Sequence, residues 1–298
     1  MASIRARIIN RLLFLTGVKS FFANPDQVPA KLAKMRGKGP DLPSNKMHKK
    51  FNISEEMYDG YRLFTVTAKG DEVSNSKHVL YLHGGGYIMD IASAHWGFIG
   101  RLVEATGASV SVPIYPLAPE NKAVDLIPAM HRLFSKLGQT HGAENITFMG
   151  DSAGAGLSLA LAHSVRDAGE TMPGRLVLLS PWLDATGTHP DQPEIEKRDK
   201  MLAVKGLDLA GKMYAGDLET TDPRVSPLFG SHDKLPPIQV FTGTADILLP
   251  DAQRFRDQMA DLGTPVDYHE YADMFHVWML LPFPEGKQAM RQIAAFMQ

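Results

Sequence analysis

From residue 51 onward, apolar runs alternate with segments of helical spacing. The stretches YRLFTVT (61–67), HVLYLH (78–83), ASVSVPI (108–114), ITFMG (146–150), RLVLLSP (175–181), IQVFTG (238–243) and VDYHEY (266–271) read as strands. Helical spacing falls between them, at about 95–106, 121–138, 153–168, 250–262 and 285–297. Several of the strands are continuous apolar runs without polar alternation, which is how a parallel strand buried on both faces looks. The pattern predicts an α/β fold, with a mostly parallel central sheet flanked by helices. Two stretches break the alternation. Residues 1–50 hold helical pieces separated by the turn-rich GKGPDLPSN, and residues 182–230 place Pro190, Pro193, Pro223 and Pro227 around a helical piece near 206–215. Both are expected to cover one end of the sheet.

The N-terminus has early arginines and then apolar residues, in the manner of a secretory leader. Its unbroken apolar run covers only residues 12–15 before Thr16 and Gly17, Lys19 then interrupts, and no small-x-small cleavage site follows. The preferred reading is an amphipathic helix with Ile4, Ile8, Leu12 and Leu15 on one face, in a cytoplasmic protein, with a signal peptide as the alternative. No run of 18 apolar residues is present, so no membrane-spanning helix is expected. Charge is uneven. Residues 1–50 hold eleven Lys/Arg against two Asp/Glu, a net of +9, which leaves about −11 on the rest given the chain total of −2. The segment reads as a solvated basic face, or as a surface that rests on something anionic. The overall charge argues against a nucleic-acid partner, and the absence of cysteine removes thiolate nucleophiles, disulfides and cysteine metal sites.

The chemistry gathers around FMGDSAGAG, residues 148–156. Ser152 stands directly after a predicted strand and before a helical stretch, so Gly150-x-Ser152-x-Gly154 falls on a strand-to-helix turn. A nucleophile elbow needs that context, because the serine is strained and its neighbours must be small. A serine also needs a base and a group that orients the base. Asp246 follows the strand 238–243, and His276 lies in a loop after 266–271, so the three come in the order Ser, Asp, His. Asp251 is a rival acid that reads instead as the acidic opening of the next helix. His269 is a rival base that reads as a strand residue. After the strand 78–83, His83-Gly84-Gly85-Gly86 would expose backbone N–H groups to a developing oxyanion, and the helix start at Ala153 would add another. His83 then organises the loop.

Taken together, HGGGY, YPLAPE (115–120), GDSAG, SPWLD (180–184), DPRVSPL (222–228), Asp246 and His276 resemble the hormone-sensitive-lipase family of α/β-hydrolase carboxylesterases over roughly residues 60–298. The resemblance implies an α/β-hydrolase catalytic domain over 51–298, with a cap insertion at about 182–230 and an N-terminal cap segment, 1–50. It implies Ser152 as nucleophile, His276 as general base, Asp246 as its partner, and Gly85, Gly86 and Ala153 as oxyanion donors, with no cofactor. It also implies a small ester substrate and a homodimer through the last strand and helix. Ala155 departs from the family's usual glycine. Tyr87, Trp182 and Trp278, next to the motifs, are candidates to line a pocket for short acyl groups. Hydrolysis of a lactone, amide or carbamate by the same triad, and a non-catalytic ligand binder on this fold, are the alternatives.

Overall fold

The structure is a computed structural model that describes residues 2–70 and 77–298. Four short helices come first: α1 (Ile4–Leu12), α2 (Val18–Ala23), α3 (Val28–Arg36) and α4 (Asn45–Lys50). The hairpin of β1 (Phe51–Tyr58) and β2 (Tyr61–Ala68) follows, then β3 (His78–Leu82), α5 (Ser93–Thr106), β4 (Ser109–Pro113), α6 (Ala123–His141), β5 (Ile146–Asp151), α7 (Ala153–Asp167) and β6 (Arg175–Leu179). The chain continues through α8 (Gln192–Glu196), α9 (Val204–Ala215), β7 (Ile238–Gly243), α10 (Leu249–Asp261), β8 (Asp267–Tyr271) and α11 (Pro284–Phe296).

The eight strands form one sheet in the order β1-β2-β4-β3-β5-β6-β7-β8. The β1–β2 and β2–β4 pairs are antiparallel and the rest are parallel. All seven expected strands are present, and the expected fold class with them. β1 is the addition. As an edge strand it buries only Phe51, and its Glu55 and Glu56 face solvent, so it carries no apolar run to announce it.

Strand alternation splits the core in two. Leu80, Leu82, Phe148, Leu176, Leu178 and Val240 face α6, α7, α9 and α10. Val79, Tyr81, Met149, Val177, Leu179 and Phe241 face α5 and α11. Because both faces are covered, the inner parallel strands are largely apolar, whereas the edge strand β8 is polar and partly exposed, and the loops at the strands' carboxyl ends are left to carry polar chemistry.

Residues 1–50 strap onto this body at several places. Phe22 of α2 lies so close to α9 that a Cβ on Gly206 would stand 2.3 Å from the Phe22 carbonyl oxygen. Lys19 Nζ donates to the carbonyls of Glu196 and Leu202. Arg36 of α3 reaches the carbonyls of Ile88 and Ala118 and pairs with Glu120. The segment therefore touches both the 182–230 stretch and the loop after β3. The outward face of α1 departs from a simple amphipathic expectation: Ile4, Ile8, Leu12 and Leu15 do share a face, but that face is turned to solvent, and Ala6 is the residue buried against the body.

Candidate active site

Ser152 joins β5 to α7 with φ of +54° and ψ of −120°, a conformation that a residue with a side chain adopts only under constraint. The constraint is visible in its neighbours. A Cβ on Gly150 would lie 2.4 Å from the Gly154 carbonyl, and one on Gly154 would lie 1.9 Å from the Leu82 carbonyl. Only glycine lets the helix start so close to the strands. The Ser152 N–H donates to the Leu179 carbonyl at 2.8 Å, and its own carbonyl accepts from Trp182 N–H at 3.1 Å, so the elbow is pinned to the end of β6.

The loop of His276 meets the same strand end. Val277 N–H donates to Ser180 Oγ at 3.0 Å, which ties the loop carrying His276 to the residue after Leu179. Val277, a β-branched residue, sits at φ +50°, and Ser180 at φ +43°. Strained backbone thus gathers around one point, as it does at functional sites. His276 Nδ1 is 2.8 Å from Asp246 Oδ2, and both side chains are buried. Asp246 Oδ1 accepts from Leu248 N–H at 2.9 Å, which fixes the carboxylate in its turn. Burial works to lower the His276 pKa, but the charge and hydrogen bond of Asp246, with help from Asp199 and Asp151, outweigh it and hold the imidazole above its ordinary value.

The glycine loop is built from below. Asp151 Oδ1 accepts from Tyr81 OH at 2.6 Å and from Gly84 N–H at 3.1 Å, while Oδ2 lies 3.3 Å from His95 Nε2. A Cβ on Gly84 would stand 2.3 Å from that carboxylate. The residue just before Ser152 therefore holds the glycine loop and the elbow in one piece. Burial favours the neutral forms of Asp151 and His95, yet each shifts toward its charged form because it faces the other. Gly85 and Gly86 turn at φ +123° and +62°. Among the described residues, the N–H groups of Gly85, Gly86 and Ala153 find no protein acceptor. His83 is fully buried and stacked on Tyr115, with its Nδ1 2.7 Å from the Gly84 carbonyl. Burial, with a contribution from His95, lowers its pKa to about 4, so it stays neutral and serves the loop.

Two carboxylates have roles that sequence reasoning missed or misread. Asp199, in the charged run EIEKRDK, is buried: Oδ1 accepts from Met201 and Leu202 N–H at 2.7 and 2.8 Å, and Oδ2 from Ile247 N–H at 2.9 Å. It stitches the 182–230 stretch to the loop of Asp246. Burial and the nearby Asp246 raise its pKa. Nothing local in the sequence marks it among its charged neighbours. Asp251 does lie in the first turn of α10, but it faces inward, and its Oδ2 accepts from Leu183 and Asp184 N–H, both at 3.0 Å. It braces the loop after β6, and burial with Asp184 nearby pushes its pKa well up.

Of the three aromatics expected beside the site, Tyr87 and Trp182 come together. Tyr87 stacks on Tyr214 of α9 with centroids 3.6 Å apart and tilts against Trp182 at 5.6 Å. Trp278 lies apart from them, in the opposite half of the core against Tyr271.

A sequence profile of the alpha/beta hydrolase fold matches residues 79–280. An esterase of Acinetobacter venetianus is 35% identical over 240 residues, covering 76% of this chain and 78% of its own length. An acetyl-hydrolase of Streptomyces hygroscopicus is 32% identical over 229 residues, covering 75% and 76%. Among solved structures, an esterase from the bacterial hormone-sensitive lipase family superposes with a TM-score of 0.80 at 26% identity, covering 100% of this chain and 98% of that one.

Proposed function

Because the chain belongs to the hormone-sensitive-lipase-like family of α/β-hydrolase esterases, and is itself an esterase, we propose that it cleaves small, short-chain acyl esters through a covalent acyl-enzyme on Ser152. Ser152 Oγ attacks the ester carbonyl carbon while His276 Nε2 takes its proton, and Asp246 stabilises the imidazolium that results. The N–H groups of Gly85, Gly86 and Ala153 receive the oxyanion. The carbon–oxygen bond to the alcohol breaks as His276 returns the proton to the leaving oxygen. Water then attacks the acyl-serine, again giving a proton to His276, and the acid leaves as the serine is reprotonated.

The observation that carries this reading is the strained Ser152 at one strand end, beside the His276–Asp246 pair and three N–H groups without protein acceptors. Residues 1–50 and the insertion at about 182–230 act together as a cap. Tyr214 of that insertion stacks on Tyr87, which in turn tilts against Trp182, and the group shortens the space for an acyl chain, which favours acetate and butyrate over long acids. A series of p-nitrophenyl esters from acetate to decanoate tests both parts. Turnover that falls with chain length supports the reading. Turnover that rises toward decanoate overturns the short-chain part, and full activity in Ser152→Ala overturns the nucleophile.

A further inference from the structure

In α1 and the turn after it, the side chains of Ile4, Ile8, Leu12, Phe14 and Leu15 are between 51 and 68% exposed. Five large apolar side chains are thus exposed within twelve residues, an apolar ridge on one segment, whereas the other exposed large apolar residues among the described ones are scattered singly. At about 100° per residue, Ile4, Ile8 and Leu12 make one stripe, with Arg5 on one flank and Arg7 and Arg11 on the other. All three arginines are exposed, and none of them forms an ion pair among the described residues. No acidic residue occurs before Asp26. The opposite face of the helix is what docks: Ala2, Ala6 and Leu13 enter the core beside α11, and Ser3 Oγ donates to Glu285 at 2.9 Å. The helix is therefore held with its apolar stripe outward.

We infer that this ridge docks the protein onto an anionic lipid surface, with the apolar stripe entering the interface and Arg5, Arg7 and Arg11 meeting the headgroups. An interfacial helix needs an apolar face flanked by cations, and this one is presented already folded. A second copy of the chain is the poorer occupant, since pairing two such faces would bring the unpaired arginines of each against those of the other. The ridge also has a place relative to the chemistry. Phe14 borders a groove of about 410 Å³ whose lining includes Lys19, Glu196 and Asp199, and Asp199 is one hydrogen bond from the loop of Asp246. Docking turns that side of the molecule toward the lipid.

Flotation of the full chain with vesicles decides the matter. The parent is expected to float with an equimolar mixture of phosphatidylglycerol and phosphatidylcholine and to stay behind with phosphatidylcholine alone. Both Ile4→Ser/Ile8→Ser/Leu12→Ser and Arg5→Glu/Arg7→Glu/Arg11→Glu should lose about tenfold or more of the partitioning, with unchanged melting temperature and unchanged turnover of a water-soluble ester. Ser152→Ala should float like the parent, so the result stands apart from the hydrolytic reading. Three outcomes overturn the inference: no flotation with the anionic vesicles at low salt, undiminished flotation of the triple serine variant, or a dimer in solution that the same serines dissolve.

Discussion

The first turns of α7 and the whole of α1 treat apolar side chains in opposite ways. In α7, every residue from Ala153 to His163 is buried, and the backbone itself is in contact with the strands through Gly150 and Gly154. In α1, one small residue, Ala6, is buried, Ile9 packs partly against the body, and Ile4, Ile8 and Leu12 point away from the protein. The first helix holds Ser152 in a conformation it would otherwise leave, so it is over-determined on all sides. The second has only to be strapped down, and its apolar positions are free for another use. The contrast warns against reading hydrophobic periodicity as direction: it identifies a face, and the neighbour available to that face decides whether it turns in.

The comparison breaks most sharply at Ser152. Replacing it by alanine should lower kcat by about 10³-fold to 10⁶-fold while leaving the fold intact, which a thermal melt run beside the rate measurement would show. An equal loss of thermal stability would mean that the serine is a structural keystone and that the elbow's strain serves packing.

Glycine-to-alanine changes separate the two regions next. Gly154→Ala puts a methyl group 1.9 Å from the Leu82 carbonyl, where only backbone could yield. It should cost about 3 kcal/mol or more of stability, or prevent folding. Gly37→Ala, at the end of α3, meets nothing closer than 3.5 Å and sits at φ −61°, so it should be neutral or stabilise by about 0.4–1 kcal/mol through the unfolded chain. Denaturant midpoints of the pair measure the difference directly, and similar midpoints would dispose of the claim that the elbow is the tighter region.

The part of the molecule most legible in the sequence is the part that is over-determined. Gly84, Gly85, Gly150 and Gly154 occupy positions where a Cβ would collide with neighbouring atoms, so their identities and spacing around Ser152 carry the structure with them. The inner parallel strands are equally plain, because burial on both faces leaves a largely apolar run. Where burial is partial the signal fades: β1 passed unnoticed behind its exposed Glu55 and Glu56. Asp199 was silent for a different reason. Its meaning depends on a contact with Ile247, 48 residues away, and no local pattern encodes such a meeting.

Asp199 gives a smaller test of how far the cap reaches into the chemistry. As the general base proposed above, His276 would have to be neutral to accept the serine proton; its pKa is held above the ordinary histidine value, so the rising limb of kcat/KM against pH should lie above that value. In Asp199→Asn one negative charge that raises the imidazole pKa is gone, so the limb should move to lower pH. The amide also leaves the Ile247 N–H facing a donor, so kcat should fall as well. A fall in kcat with an unmoved limb would assign Asp199 to packing alone.

The smallest expected effect lies on α1, and its smallness is the point. Ile8 is 52% exposed, so Ile8→Ser should change stability by no more than about 0.5 kcal/mol. Ala6, two residues away and on the opposite face, is 1% exposed, and Ala6→Leu must push a larger side chain between α1 and the body, at a cost of about 1–3 kcal/mol. A composition-based reading would expect the reverse, with the large isoleucine as the anchor and the alanine as filler. Melting both variants in the absence of lipid decides which face holds the helix. If Ile8→Ser proves the more damaging, the stripe is buried in solution and cannot be a surface waiting for a partner. If Ala6→Leu does, the helix is fixed through its small side, and the exposed stripe is a standing feature of the folded protein.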